Sequence, residues 1–303
     1  MTLIAISMKA WIKAFRLRTL PLALACISMG SILAYADGKM NWIIALLSLL
    51  TTLFLQILSN LANDYGDAKS GVDGINRKGP SRSVQTGEIT AKAMFNAIII
   101  FGILSFVSGC LLLFTGLEIN LIFFIFLLIG LLAIAAAIKY TMGENPYGYS
   151  GFGDISVFLF FGIIGVLGTY YLHAASINYT SILPALSCSF FAVAVLNVNN
   201  IRDIESDKLN GKNSIPVRIG RKKAVIYHLS LLIGGILFSL IYVLIDYKGP
   251  FQFLFLLVIP LLYKNGTAVK TLHDAQKLDP YLKQMAITTL LFVICFGIGN
   301  MFY

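Results

Sequence analysis

Long apolar runs alternate with short polar segments along the whole chain. A helix needs about 20 mainly apolar residues to cross the hydrocarbon core of a bilayer. The pattern therefore predicts an all-α membrane protein, with one domain over residues 1–303. The eighth apolar run is short and contains Pro260, so a re-entrant segment is the alternative there. The nine predicted membrane-spanning helices are 20–36, 41–62, 93–115, 119–139, 155–174, 181–200, 224–245, 250–263 and 284–302.

Composition restricts the chain to the class of integral membrane proteins. Apolar residues make up 58% of the 303 residues and charged residues only 12%, where a soluble domain carries about a quarter. This balance excludes a soluble globular protein, and the abundance of Leu, Ile and Phe excludes a disordered chain. The four cysteines lie inside apolar runs without CxxC spacing, so they support neither a metal site nor a disulfide framework.

The positive charges favour one orientation in the membrane. If the N-terminus is cytoplasmic and all nine helices cross, 21 of the 23 Lys and Arg residues lie on the cytoplasmic side, and only Lys39 and Lys248 lie outside. This is the positive-inside pattern, and it places the C-terminus outside. A re-entrant eighth segment would move four lysines to the outer face. Because the basic residues lie in loops between spans, the net charge of +9 does not predict a nucleic-acid partner.

The N-terminus permits a second interpretation. Basic residues precede the first apolar run, which ends in Ala34-Tyr35-Ala36 and so resembles a signal-peptidase site. Cleavage there would leave eight spans with the N-terminus outside and the inner loops still correctly placed. The intact mass of the protein distinguishes the two interpretations.

Two long inner loops begin with matching groups of Asn and Asp residues. The first acidic cluster consists of Asn60, Asp64 and Asp67. The second acidic cluster consists of Asn199, Asp203 and Asp207. Each cluster lies on one face of a helix, because its successive members are three or four residues apart. Matching residues of the two clusters are 139 or 140 positions apart, which marks an internal repeat and predicts two half-sites that face one cavity.

Two carboxylates on one helix face repel each other and require a cation. Hard oxygen ligands suit Mg²⁺, which commonly shares its coordination with a substrate phosphate. Basic residues near both clusters favour a metal-bridged polyanion, such as a diphosphate at the membrane surface. Solvated helix ends capped by Asn are the alternative for the acids, and topology markers are the alternative for each basic residue. These basic residues are Lys78, Arg82, Arg202, Lys208, Lys212 and Arg218.

A third inner loop, residues 139–154, is rich in Tyr and Gly and is called the Tyr/Gly loop below. It contains Tyr140, Tyr147 and Tyr149, together with Glu144 and Asp154. Tyr residues at a membrane interface are commonly anchors. Their density here equally suits an aromatic-lined binding site.

The segments NLANDYGDAKSGVD and NNIRDIESDKLNGKNSIPVRIG resemble the two aspartate-rich motifs of the UbiA superfamily of intramembrane prenyltransferases. Three further segments, RLRTLPLA, KGPSRSVQTGEIT and PYGYSGFGDISVFLFFG, are similar to the 1,4-dihydroxy-2-naphthoate polyprenyltransferases of menaquinone synthesis in particular. The resemblance covers nearly the whole chain in order. It implies nine helices around a central cavity that opens sideways to lipid, in a bacterial plasma membrane. It also implies transfer of a polyprenyl group from its diphosphate to the naphthoate, with loss of CO₂, to give demethylmenaquinone.

Roles for individual residues follow from this resemblance as hypotheses. Asp64, Asp67, Asp203 and Asp207 are expected to hold Mg²⁺. Lys78, Arg82 and Arg202 are expected to take up the charge of the leaving diphosphate, and Tyr140 is expected to shield the allylic cation from water. The expected substrate contacts are Arg18, Asn60, Asn63, Asp73, Tyr147, Asp154, Asn199, Asn200, Lys208, Lys212 and Arg218.

The chain departs from the superfamily pattern at two positions. Gly71 stands where the first motif often has an acid, which makes Asp73 the candidate replacement, and Asp154 stands where a Glu is expected. The same residues permit two alternatives to the predicted function. A related enzyme would prenylate 4-hydroxybenzoate, homogentisate or haem instead. A cation transporter would also carry acids in its spans, but near the bilayer midplane rather than at one end.

Overall fold

The computed structural model of the protein describes residues 8–70 and 82–302. Within these ranges nine helices are long and apolar enough to cross a membrane, which confirms the predicted all-α membrane architecture. The first of these nine runs from Met8 to Ala36 and is divided by a short break, and one further short helix lies outside the nine. The helices are α1 (Met8–Phe15), α2 (Leu20–Ala36), α3 (Trp42–Lys69), α4 (Ala91–Gly116), α5 (Leu121–Lys139), α6 (Gly153–Ala174), α7 (Ile182–Arg202), α8 (Ile204–Leu209), α9 (Ile215–Ile245), α10 (Pro250–Thr271) and α11 (Ala275–Met301).

Several helices are longer than their apolar runs predicted. α9 begins nine residues before the predicted residue 224 but is interrupted by a kink at Gly220 (φ 77°), and α11 begins nine residues before the predicted residue 284. α10 continues to Thr271, so the eighth segment is long enough to span a bilayer. Hydropathy detects only the part of a helix that lies in hydrocarbon, whereas capping decides where the helix starts. At α11 the side chain of Asp274 accepts a hydrogen bond of 2.9 Å from the backbone N–H of Gln276.

Side-chain caps also stabilise the starts of α3 and α5. Asn41 accepts hydrogen bonds from the backbone N–H groups of the first residues of α3, and Asn120 does the same for α5. These bonds satisfy N–H groups that have no partner within the helix. α4 crosses the membrane between α3 and α5, so the starts of α3 and α5 lie at one face and their ends lie at the other.

Burial differs strongly between the helices. α7 is the most buried, and it packs against α6, α9 and α11 in the largest apolar core of the described residues. α5 is the most exposed, and α4 beside it also exposes many Phe, Ile and Leu side chains. Such a surface is stable against lipid tails, which are as apolar as these side chains. α4 and α5 therefore form a wall with lipid on one side.

The middle of α6 is a π-helix over Phe158–Gly168. The wider turn leaves backbone carbonyls to be satisfied from outside, and Ser189 of α7 donates a hydrogen bond of 3.0 Å to the carbonyl of Phe158. Gly162 makes this approach possible, because a Cβ atom there would lie 1.7 Å from the Ser189 hydroxyl oxygen. Local π-helical turns are rare and occur often at functional sites. This one lies beside the cavity described next.

Candidate active site

A cavity of about 700 Å³ lies between α2, α3, α4, α5, α6 and α7. Its polar lining comes from the ends of helices at one membrane face: the start of α2 and the ends of α3, α5 and α7. Towards the opposite face the lining is apolar, with Leu113 of α4, Phe126 of α5 and Leu172 of α6. The volume is typical of a small-molecule site. Its shape suits a ligand with a charged head and a long apolar tail.

The structure brings most of the predicted site residues to this cavity, from both halves of the chain. Both acidic clusters line its polar end, which is the arrangement that the internal repeat predicted. The predicted residues on the cavity wall are Arg18, Asn60, Asn63, Asp64, Asp67, Arg82, Tyr140, Tyr147, Asn199, Asn200, Arg202, Asp203, Asp207 and Lys212.

Three of the other predicted residues lie off the cavity wall, and two are not described by the structure. Asp73 and Lys78 fall outside the described residues. Lys208 is exposed and lies off the cavity wall. Arg218 is also off the wall, because its guanidinium donates to the carbonyls of Ser150 and Asn213 and so ties two loops together. Asp154 is buried behind the wall.

The first acidic cluster is held by arginines and a backbone donor. Asp64 and Asp67 are only 2% and 1% exposed. Arg82 contacts Asp67 through Nη2, and its Nε lies 3.7 Å from Asp64 Oδ1. Arg16 Nη2 lies 3.7 Å from the same oxygen, and the backbone N–H of Ser83 donates to Asp64 Oδ2 at 3.2 Å. The two carboxylates are therefore compensated by the positive charge of Arg16 and Arg82.

Tyr149 of the Tyr/Gly loop connects the two acidic clusters. Its hydroxyl donates to Asp67, and its ring centroid lies 5.1 Å from Lys212 Nζ. Lys212 Nζ in turn lies 3.8 Å from Asp207 Oδ1. Burial, followed by the negative charge of Asp67, raises the pKa of the Tyr149 phenol, so this hydroxyl remains a hydrogen-bond donor at neutral pH.

The second acidic cluster is organised by Arg202. Its Nε and Nη2 donate to both oxygens of Asp203, at 2.8 and 2.6 Å. Nη2 also donates to Asn199 Oδ1 at 2.9 Å, and Nη1 contacts Asp279 of α11. Asp279 also accepts from Arg18 Nη1, at 3.0 Å. Two cavity-lining arginines are thus oriented by one carboxylate from the last helix.

Some of the predicted Asn side chains form hydrogen bonds that hold the structure together, and others line the cavity. Asn60 donates to the carbonyl of Phe15 at 2.9 Å and to Thr19 Oγ1 at 3.2 Å, so it anchors the turn between α1 and α2. Asn63 Oδ1 accepts from the Thr141 hydroxyl at 3.0 Å. Asn200 lines the cavity from the other half of the chain. Asn60 and Asn63 therefore hold the cavity wall together as well as contribute to its lining.

Asp207 has the least compensated carboxylate of the second cluster. Burial raises the pKa of Asp207 to about 6, and the charges of Asp203 and Asp67 add to this, while Lys212 and Arg202 oppose it. A cation placed beside Asp207 would therefore be stabilised. In residues 8–70 and 82–302, however, no three His, Cys, Asp or Glu side chains form a ready-made metal group. The carboxylates occur in pairs, and two carboxylates with water and a ligand phosphate complete an Mg²⁺ site.

Aromatic rings close the cavity beside the acids. The Tyr140 and Tyr147 rings meet edge to face, with centroids 5.4 Å apart. Tyr147 donates to the carbonyl of Ala136 at 3.0 Å, which fixes its ring. Burial, and then the charge of Asp154, raise the pKa of the Tyr140 phenol. Tyr140 therefore presents a neutral ring to the cavity, a surface that attracts a cation.

Three residues of this network were not identified from the sequence as site residues. They are Arg16, Tyr149 and Asp279. Arg16 begins the RLRTLPLA segment, which predicts no role for it, and its left-handed backbone, with φ 50° and ψ 56°, lies at the break before α2. Such a conformation in a residue other than Gly is a signal of function, but it is visible only in the structure. Asp279 lies in a polar segment with no motif around it, so no pattern could have identified it.

Comparison with known proteins identifies close relatives of the chain. The UbiA prenyltransferase family matches residues 23–290. A protein of Escherichia coli strain K12 named 1,4-dihydroxy-2-naphthoate octaprenyltransferase is 44% identical over 290 residues, which cover 94% of each chain. The Haemophilus influenzae protein of the same name is 45% identical over 294 residues, which cover 96% of each chain.

Solved structures share the fold. The apo structure of a UbiA homologue from Aeropyrum pernix K1 has a TM-score of 0.70 at 16% identity, and covers 94% of this chain and 98% of its own. A UbiA homologue from Archaeoglobus fulgidus, bound to DMAPP and Mg²⁺, has a TM-score of 0.61 at 19% identity, over 95% and 99% of the two chains. At these identities the likeness is one of fold. With the family matched over most of its length and relatives above 40% identity, the chain belongs to the UbiA prenyltransferase family.

Proposed function

We propose that the protein transfers a polyprenyl group from polyprenyl diphosphate to 1,4-dihydroxy-2-naphthoate, with release of diphosphate and CO₂. The product is a prenylated 1,4-diol, the hydroquinone form of demethylmenaquinone. The observation that carries this proposal is the cavity, which joins two acidic clusters and several arginines at one end to a long apolar lining at the other. The names of the E. coli and H. influenzae relatives support the choice of acceptor.

The polar end of the cavity fits a diphosphate bound through Mg²⁺. The carboxylates of Asp64, Asp67, Asp203 and Asp207 would hold the metal, and the A. fulgidus homologue, whose fold is similar, binds Mg²⁺ with DMAPP or GPP. When bound, Mg²⁺ supplies positive charge that neutralises the leaving diphosphate. Asp73 and Lys78 stay predictions for the same end of the cavity.

The chain's own basic residues complete the diphosphate site. Arg82 and Arg202 contact acidic side chains at the cavity wall. Both guanidinium groups lie at the cavity wall, where they would donate bidentate hydrogen bonds to the diphosphate oxygens. Lys212, beside Asp207, would contribute a further charge. These contacts stabilise charge that develops as the carbon–oxygen bond breaks, which is the condition for catalysis.

The allylic carbon that remains carries positive charge and must be protected from water. The ring of Tyr140 faces the cavity beside the acids, and such a contact contributes about 0.5–2 kcal/mol, depending on desolvation. The apolar lining towards the opposite membrane face would take the polyprenyl tail. The electron-rich ring of the dihydroxynaphthoate then attacks as the nucleophile, so no covalent intermediate with the enzyme is required.

We also propose that the protein lies in the bacterial plasma membrane with a cytoplasmic N-terminus. The distribution of Lys and Arg supports this orientation. The acidic clusters would then face the cytoplasm, where a soluble aromatic acid reaches the cavity. Labelling of single introduced cysteines at residues 38 and 144 in intact cells tests the orientation, because the first would react with an impermeant reagent and the second would not.

The function is tested with purified protein, polyprenyl diphosphate, Mg²⁺ and one aromatic acceptor at a time. We expect a prenylated, decarboxylated product from the naphthoate, and loss of product when EDTA removes Mg²⁺. Asp203→Asn should abolish transfer, while Glu205→Gln, an exposed acid in the same segment, should not change it. Product from 4-hydroxybenzoate and none from the naphthoate would refute the proposed acceptor. Ion flux across sealed vesicles without prenylated product would indicate a transporter instead.

A further inference from the structure

Asp154 is a buried carboxylate that the diphosphate site does not use. It lies in the first turn of α6 and is 5% exposed. Both of its oxygens are buried, and neither accepts a hydrogen bond from any residue in the described ranges. A carboxylate without a partner is costly to withdraw from water. A buried polar group without a hydrogen-bond partner requires an explanation in a folded protein. One explanation is that a bound ligand supplies a proton or a hydrogen bond.

The ionisable groups that face Asp154 are both phenols. They belong to Tyr140, at the end of α5, and Tyr227, in α9. No basic side chain among the described residues pairs with the carboxylate. Gly153 packs directly against Tyr140, because a Cβ atom there would lie 2.7 Å from the Tyr140 hydroxyl oxygen. Tyr140 lines the cavity and Asp154 does not, and the Tyr140 hydroxyl lies against the residue that precedes Asp154.

Resting on the proposed function, we propose that Asp154, acting through Tyr140, accepts the proton of a ring hydroxyl of the bound dihydroxynaphthoate. Asp154 is in this sense a positioning residue, since Tyr140 is the group that touches the substrate. The proton of the substrate hydroxyl passes to the Tyr140 oxygen while the phenolic proton of Tyr140 passes to the carboxylate. Hydrogen bonds of this kind are often long before substrate binds and shorten in the complex.

The chemistry balances without any further reactant. The electron pair left on the naphtholate oxygen moves into the ring, and a ring electron pair forms the bond to the allylic carbon as the bond to diphosphate breaks. Loss of CO₂ returns the electron pair of the carbon–carboxyl bond to the ring. The proton then returns from Asp154 through Tyr140 to the naphtholate oxygen. The carboxylate is regenerated, and a naphtholate is a stronger nucleophile than the neutral naphthol.

The test compares acceptor kinetics of purified variants in anaerobic buffer with Mg²⁺ and polyprenyl diphosphate. A general base contributes about 10²–10⁴-fold, so Asp154→Asn should lower kcat/KM for the naphthoate by about 100-fold or more at neutral pH. The deficit should shrink as the pH rises and the acceptor ionises by itself. Asp154→Glu should restore most of the rate. Tyr227→Phe is the matched control and should behave as wild type. It alters the other phenol near Asp154, which does not line the cavity.

The double variant Tyr140→Phe/Asp154→Asn separates a relay from a packing role. If the two residues act in sequence, the double variant is no slower than the slower single variant. Additive losses, an unimpaired Asp154→Asn enzyme, or a deficit that stays constant with pH would each overturn the inference. Wild-type enzyme that makes no product from the naphthoate would refute the proposed function together with this inference. Wild-type product with full Asp154→Asn activity would refute this inference alone.

Discussion

The guanidinium of Arg202, at the end of α7, contacts the carboxylate of Asp279 in α11, 77 residues later in the chain. Asp279 also accepts from Arg18 at the start of α2. Three helices that lie far apart in sequence therefore meet at the polar end of the cavity. The contact fixes Arg18 and adds a second carboxylate partner to Arg202, whose Nε and Nη2 already donate to Asp203.

Asp279→Asn should weaken the binding of polyprenyl diphosphate. Hydrogen bonds to charged groups contribute about 1.5–3 kcal/mol, so we expect KM for the diphosphate to rise about 10- to 100-fold with a smaller change in kcat. Steady-state kinetics with the naphthoate at saturation measures the effect. Asp274→Asn, a cap of the same helix, is the control and should leave KM unchanged. An unchanged KM in Asp279→Asn would show that the arginines are oriented by other contacts.

Tyr149→Phe should reduce prenyl transfer without loss of the fold. The substitution removes the hydroxyl that donates to Asp67 but keeps the ring that lies beside Lys212. We expect kcat/KM to fall about 10-fold, as for one hydrogen bond to a charged group, and the Mg²⁺ concentration for half-maximal rate to change with it. Tyr179→Phe is the control, because Tyr179 is 83% exposed near the opposite membrane face. Equal rates for the two variants would contradict the role of this hydroxyl.

Asp207 should make the ligand-free protein less stable as the pH rises. Burial raises the pKa of Asp207 to about 6 from its ordinary 3.8. A raised pKa favours the folded state while the group is protonated, so this contribution is full below about pH 4 and is lost as the pH rises through about 6. The loss is on the order of 3 kcal/mol.

Thermal unfolding in detergent with EDTA, from about pH 4 to pH 7, measures this contribution. The comparison is between wild type and Asp207→Asn, in which the carboxyl group cannot ionise. As the pH rises, the unfolding midpoint of the wild type should fall relative to that of Asp207→Asn. The variant should therefore be the more stable protein at neutral pH. Parallel curves for the two proteins would show that Asp207 titrates as an ordinary exposed acid.

Gly162→Ala should destabilise the contact between α6 and α7. A Cβ atom at this position would lie 1.7 Å from the Ser189 hydroxyl oxygen and 2.4 Å from its Cβ. Overpacking of this kind costs about 1–3 kcal/mol, which a lower midpoint of thermal unfolding should reveal. Gly102→Ala in α4 is the matched control, because a Cβ atom there meets no heavy atom within 4 Å. A fall in the midpoint of Gly102→Ala as large as that of Gly162→Ala would rule out the close approach as the cause.

The sequence alone predicted the nine membrane-spanning helices, which the structure confirms, and the family, which the comparisons confirm. Both depend on local information. The length of an apolar run decides whether a helix can span hydrocarbon, and spacings of three and four residues place acids on one helix face. The same periodicity, repeated after 139 residues, predicted that Asp64 and Asp203 face one cavity, and both line it.

Only the tertiary structure decided which side chains compensate these acids and which acid is left without a partner. Arg16, Tyr149 and Asp279 contact the site residues across 48 to 261 positions of the chain, and no periodicity connects them. Asp154 shows the same limit, because its type and position were visible in the sequence while its missing partners were not. Charge compensation depends on distances of a few ångströms between helices. Those distances are set by the packing of whole helices, which a single local pattern does not encode.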